Sequence, residues 1–219
     1  MQKKILVLLT DGFEEIEFVS IVDVLRRAGL AVFIAGLDGK RIYQGAHHIA
    51  LQSEGCLMDL LKGGLGGIEE FDGVVLPGGG EAMQRFCASS ELKDLLFRFY
   101  QAGKLVGAIC AAPVVLHEAG LPLRDFTCYP SCEELIGKPR NEASVVQDGN
   151  ILTASAPAVA MEFALALVGY LCGGEQVKIL KSEMLVPWMR TKRLCKIENP
   201  PSTHQGRILP PSGLLAEHK

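Results

Sequence analysis

The 219-residue chain contains no long apolar run. The first apolar stretch, Ile5 to Leu9, is too short for the core of a secretion signal or for a membrane span, and Asp11 and Gly12 end it. No other stretch reaches spanning length, so no membrane partner is expected and the cytoplasm is the expected compartment. A basic surplus is missing as well. The chain has 22 Lys+Arg against 25 Asp+Glu and a formal net charge of −3, which argues against nucleic acid as a partner. Paired cysteine spacing is also absent. Seven cysteines lie scattered, an odd number, so at least one stays unpaired and a reducing, intracellular setting is expected. The glycine-rich stretches carry neither GxGxxG spacing nor a following Lys-Ser or Lys-Thr pair, which excludes a phosphate loop. Cys128 and Cys132 could hold a metal with other ligands, but no CxxC pair or nearby histidine supports that, so no metal is expected.

The order of the chain is informative. Ile5 to Leu9 reads as a strand buried on both faces. Glu14 to Ala28 has helical spacing, with Ile16, Val19, Ile21, Val24, Leu25 and Ala28 as its apolar stripe and Gly29 where a helix ends. Leu30 to Ala35 is a second strand. Short strands around Tyr43 and over Ile49 to Leu51 are expected to cross the sheet edge, and Cys56 to Lys62 reads as a short helix. Further strands are expected at Asp72 to Leu76 and Lys104 to Ile109, with helices at Glu91 to Ala102, Ala111 to Ala119 and Val159 to Leu171. Asp148-Gly149-Asn150 marks a hairpin turn between Ala143–Gln147 and Ile151–Thr153. Strands interleaved with helices imply an α/β fold, doubly wound, with a mostly parallel sheet and its site at the C-terminal strand ends. One domain is expected over residues 1–187. From Trp188 onward periodicity fails, so 188–219 reads as a C-terminal tail, poorly ordered on its own or a reading-frame extension.

Three segments carry chemistry. Leu105 to Pro113, LVGAICAAP, delivers Cys110 from a buried strand to the first turn of a helix between small residues. The turn is that of a nucleophile elbow, and the helix N-terminus is expected to favour thiolate over thiol. A plain buried cysteine is the competing reading. Leu76-Pro77-Gly78-Gly79-Gly80 ends another strand, where glycine N–H groups can face an anion, or simply turn the chain. Asp11 to Glu17, DGFEEIE, opens the first helix. Glutamates there are usually solvated, but Glu17 falls beside the inward stripe. Burial would raise its pKa and the helix dipole would lower it.

Together DGFEEIE, DGVVLPGGG, LVGAICAAP and DGNILTASAPAVAMEFALAL resemble the ThiJ/PfpI superfamily. The resemblance runs from Lys3 to Pro187 and fits best the branch of the Parkinsonism-associated protein deglycase. It implies a flavodoxin-like fold and a homodimer. It also implies that Cys110 hydrogen-bonds a protonated Glu17, with the N–H groups of Gly79 and Ala111 flanking the sulfur. Gly78, Tyr129, His47, Ser155 and Pro157 are the expected pocket residues. Tyr129 stands where many relatives have histidine and is a poor base near neutrality. His47 and Ser155 stand where some relatives place arginines. His117, two turns along the helix from Cys110, reads as structural or surface.

The expected activity is that of a cofactor-independent cysteine enzyme acting on a small reactive carbonyl, a 2-oxoaldehyde such as methylglyoxal, or on its adducts in glycated protein. Cys110 would attack the aldehyde, Glu17 would move a proton, and the N–H groups of Gly79 and Ala111 would hold the oxyanion. A non-catalytic redox sensor or chaperone working through oxidation of Cys110 is the alternative. A cysteine peptidase ranks third, because no base stands beside the thiol in sequence.

Overall fold

The computed structural model describes residues 2–64 and 67–186. The chain to Leu185 makes one compact unit. The tail expected at 188–219 lies outside the described residues. The strands of the main sheet are β1 (Lys4–Leu9), β2 (Ala31–Gly36), β5 (Gly55–Cys56), β6 (Gly73–Leu76), β7 (Leu105–Ile109), β8 (Val145–Asp148) and β9 (Ile151–Ala154). Their order is β5-β2-β1-β6-β7-β9-β8. Every neighbouring pair is parallel except β8 with β9, the expected hairpin. This is the doubly wound, flavodoxin-like α/β fold expected from the sequence. Among the described residues no helix is long and apolar enough to cross a membrane.

The central strands are apolar throughout because both of their faces are covered. Ile5 to Leu9, Val74 to Leu76 and Val106 are fully buried. Helices α1 (Glu15–Arg27), α7 (Ala160–Cys172) and α8 (Gly174–Glu183) pack together on one side. Helices α3 (Gly80–Ala88), α4 (Ser90–Gln101), α5 (Pro113–Glu118) and α6 (Cys132–Ile136) pack on the other, while α2 (Leu57–Leu61) follows β5.

Three expectations are corrected. The strands β3 (Ile42–Gln44) and β4 (Ala50–Gln52) form a separate two-stranded antiparallel sheet instead of crossing the main sheet's edge. That edge is taken by β5, which pairs in parallel with the end of β2. The inward stripe of α1 is Phe18, Ile21, Val22 and Leu25, a row at i, i+3, i+4 and i+7. Ile16 and Val19, expected inside, are 60% and 49% exposed. Helices α3, α6 and α8 add to the elements expected from periodicity. Their sequences are short or strongly polar, and tertiary packing completes them.

Strand β1 connects to β2 on one side and lies beside β6 on the other. The crevice where the chain reverses direction across the sheet opens at their C-terminal ends. There the turn after β1 meets the turn after β6, and the N–H of Glu14 donates to the Gly78 carbonyl at 3.1 Å.

Candidate active site

Cys110 is the first residue after β7 and takes φ 63°, in the left-handed region. That conformation costs a non-glycine residue roughly 1–3 kcal/mol and persists only where its surroundings impose it. Here both backbone groups are tied. The Cys110 N–H donates to the Ala154 carbonyl at 2.8 Å, and its own carbonyl accepts the Tyr129 N–H at 2.8 Å. The residue is 8% exposed, so its thiol is nearly enclosed.

The elbow is therefore real, but its electrostatics differ from the expectation. Helix α5 starts at Pro113, a residue suited to a first helical position, and Cys110 to Ala112 form the turn before it. The thiol is thus outside the first helical turn. Its pKa is pushed up rather than lowered, chiefly by burial, then by the negative charge and hydrogen bonding of Glu17. The backbone N–H groups of Gly79 and Ala111 pull the other way as donors to the sulfur. These two are the groups that the family resemblance implies at the sulfur.

Glu17 is the other half of the pair. It is fully buried, and its Oε2 accepts the Gly78 N–H at 2.7 Å. Among the described residues its Oε1 has no hydrogen-bond partner. Burial raises its pKa to about 7. The Gly78 N–H opposes the rise, the Glu14 charge adds to it, and hydrogen bonding with Cys110 opposes it. The open question of sign resolves in favour of burial over the hydrogen bond that holds the carboxylate. Near neutral pH Glu17 is about half ionised, and where it is ionised the pair's remaining proton rests on the Cys110 thiol, whose pKa lies far higher.

Two glycines make this approach possible. A Cβ on Gly78 would lie 2.6 Å from both Cys110 Cβ and Glu17 Oε2. Gly79 has φ 104°, and a Cβ there would lie 2.1 Å from the Gly12 carbonyl oxygen.

The remaining expected pocket residues divide. Tyr129 lies beside the elbow through its backbone, with the residue 47% exposed. Ser155 and Pro157 follow Ala154, whose carbonyl anchors Cys110, and so lie at the same strand end. His47 goes elsewhere. Its Nδ1 is 2.9 Å from Glu15 Oε2, its N–H donates to Glu15 Oε1 at 2.6 Å, and its side chain is 73% exposed. No imidazole is among the groups that act on the ionisation of Cys110.

The sequence missed the burial of Glu14 and Glu15, which are only 7% and 5% exposed. Glu14 is the N-cap of α1, its Oε2 accepting the Glu17 N–H at 2.7 Å. An acidic residue three positions before Glu17 was the available signal. Of the other cysteines, Cys128 is fully buried, and burial first of all pushes its thiol up to about 12. Cys56 and Cys87 are half-buried. Cys172 ends α7 and is exposed. Cys195 lies outside the described residues.

Comparison with known proteins places this geometry in context. The pattern described as the DJ-1/PfpI family matches residues 3–169. Protein dj-1beta of Drosophila melanogaster is 36% identical over 192 residues, covering 86% of this chain and all of that one. Its crystal structure superposes with a TM-score of 0.78. A structure described as oxidized DJ-1 of Toxoplasma gondii is 32% identical, covers 84% of this chain and 98% of that one, and has a TM-score of 0.77. The glutathione-independent glyoxalase DJR-1.2 of Caenorhabditis elegans is 31% identical over 183 residues, 82% of this chain and 94% of that protein.

Proposed function

The chain belongs to the DJ-1/PfpI family, and on that premise we propose that it is a cofactor-independent cysteine enzyme acting on 2-oxoaldehydes or on their adducts with protein. The observation that carries this reading is the buried Glu17 carboxyl held against Cys110, with the N–H groups of Gly79 and Ala111 directed at the sulfur. A relative of similar length bears the name of a glutathione-independent glyoxalase.

With methylglyoxal as the small substrate, the Cys110 sulfur adds to the aldehyde carbon as the pair's remaining proton passes to the aldehyde oxygen, giving a hemithioacetal. The Glu17 carboxylate then removes the proton on that carbon and returns it to the adjacent ketone carbon, while the hydroxyl proton passes to the former ketone oxygen, leaving a thioester. Water cleaves the thioester, releases lactate and restores the thiol. The sum is methylglyoxal plus water giving lactate, with no net redox change and no external cofactor. The N–H groups of Gly79 and Ala111 stabilise the sulfur anion that starts the sequence. Water cleavage of an adduct on a protein amine or thiol would use the same two side chains.

A second reading rests on the same N–H groups, which would also stabilise a Cys110 sulfinate, and on a relative whose structure is described as oxidized. The deciding experiment measures lactate from methylglyoxal, without glutathione, for the wild type, Cys110→Ala and Glu17→Gln. Turnover that vanishes in the first variant and collapses in the second supports the enzyme. No turnover, with Cys110 alone gaining two oxygens under mild peroxide, moves the assignment to the sensor.

A further inference from the structure

Glu14 closes a ring of hydrogen bonds around the Glu17 carboxyl. Its Oε2 accepts the Glu17 N–H at 2.7 Å. The Gly78 N–H donates to Glu17 Oε2 at 2.7 Å, and the Gly78 carbonyl accepts the Glu14 N–H at 3.1 Å. These bonds join the turn after β1, the first turn of α1 and the turn after β6 in one closed circuit. We infer that Glu14 is a positioning residue for the proposed activity: through this ring it holds the Glu17 carboxyl on Gly78 and against Cys110. The inference deepens the proposed function and rests on it for the reaction that Glu17 serves.

Helix capping alone does not account for Glu14. A serine or asparagine at the N-cap would satisfy the Glu17 N–H without burying a charge. Glu14 is instead 7% exposed and stands three residues before a second, fully buried carboxyl. Like charges so placed favour the neutral form of the more deeply buried group. Glu14 therefore acts on Glu17 twice. Its hydrogen bond fixes the backbone from which the Glu17 side chain leaves the helix, and its charge helps to keep a proton on the Glu17 carboxyl.

The other groups facing Glu17 leave the second task to Glu14. Burial first of all raises the Glu17 pKa, to about 7. Among the described residues, the Gly78 N–H after β6 and Cys110 after β7 oppose the rise, and Glu14 is the neighbour that adds to it. No group of α7, which packs against α1, acts on it. Glu15, the other buried carboxylate of this turn, is directed away to His47 Nδ1 at 2.9 Å and to the N–H groups of His47 and Ile49.

The test titrates the Glu17 carboxyl in the full chain by infrared spectroscopy, its protonated band assigned as the one missing from Glu17→Gln. The wild-type midpoint is expected near 7. Glu14→Gln keeps a capping oxygen and removes the charge, and should lower that midpoint by about half a pH unit or more. Glu14→Asp keeps both features and should stay near the wild-type midpoint. In kinetics on methylglyoxal, the rising limb of kcat against pH, set by the Glu17 carboxylate as base, should move down with the infrared midpoint in Glu14→Gln, with KM within about twofold. An unchanged infrared midpoint in Glu14→Gln would overturn the inference, as would an equal fall in Glu14→Asp or a kinetic limb that stays in place. Absence of turnover in the wild type would overturn the proposed activity instead, and the infrared midpoints would still decide whether Glu14 governs Glu17.

Discussion

Glu17 and Cys110 approach each other over Gly78: its N–H donates to Glu17 Oε2 at 2.7 Å, and its missing side chain leaves the space where Cys110 Cβ and the carboxyl meet. The pair therefore depends on a residue that takes no chemical part.

Gly78→Ala should show this dependence directly. The new methyl would lie 2.6 Å from Cys110 Cβ and 2.9 Å from the Ile109 carbonyl, neither of which can swing aside. A loss of about 1–3 kcal/mol in urea unfolding is expected, together with loss of lactate formation from methylglyoxal. An unchanged unfolding midpoint with full turnover would contradict the packing described here.

The buried carboxyl makes stability pH-dependent. Glu17 binds its proton more tightly in the folded state, with a pKa of about 7, than in the unfolded chain, near 4.5. Its contribution is thus greatest below 4.5 and is lost as pH rises through 7. Relative to Glu17→Gln, the wild type should lose about 3 kcal/mol between pH 4.5 and 8. Urea unfolding of both proteins at the two pH values measures it. Parallel changes in the two proteins would mean that folding leaves the Glu17 pKa unshifted.

Tyr129 contributes its backbone. Its N–H holds the Cys110 carbonyl at 2.8 Å, a bond that any residue except proline can make. Tyr129→Phe should keep kcat/KM within about threefold, whereas loss of a general base costs on the order of 100-fold or more. Steady-state kinetics on methylglyoxal separates the two, and a loss of the larger size would make the phenol a participant.

The homodimer implied by the family resemblance would use the exposed apolar residues of α1. Ile16 and Val19, three positions apart, are 60% and 49% exposed. Ile49 is 55% exposed, and its N–H reaches Glu15 on the same helix. Such residues are neighbours on a helix surface and form a natural contact. Sedimentation should show Ile16→Asp and Val19→Asp shifted to monomer, with folding unaffected because both side chains face out. A dimer that survives both substitutions would place the interface elsewhere.

The amino-acid order determined the sheet, because continuous apolar runs such as Ile5 to Leu9 and Val74 to Leu76 can be buried only between two layers of helices. It also determined the elbow, since small residues around Cys110 mark a turn that larger ones would block. Only the tertiary structure decided the electrostatics. Whether the Cys110 pKa rises or falls depends on burial and on a carboxyl 93 positions away in the chain. That His47 turns to Glu15 instead of the thiol depends on a separate β3–β4 hairpin that the apolar pattern expected to cross the main sheet's edge. Periodicity records which face of a segment is buried. It does not record which charged groups the folded chain brings together, and those groups govern the chemistry of this site.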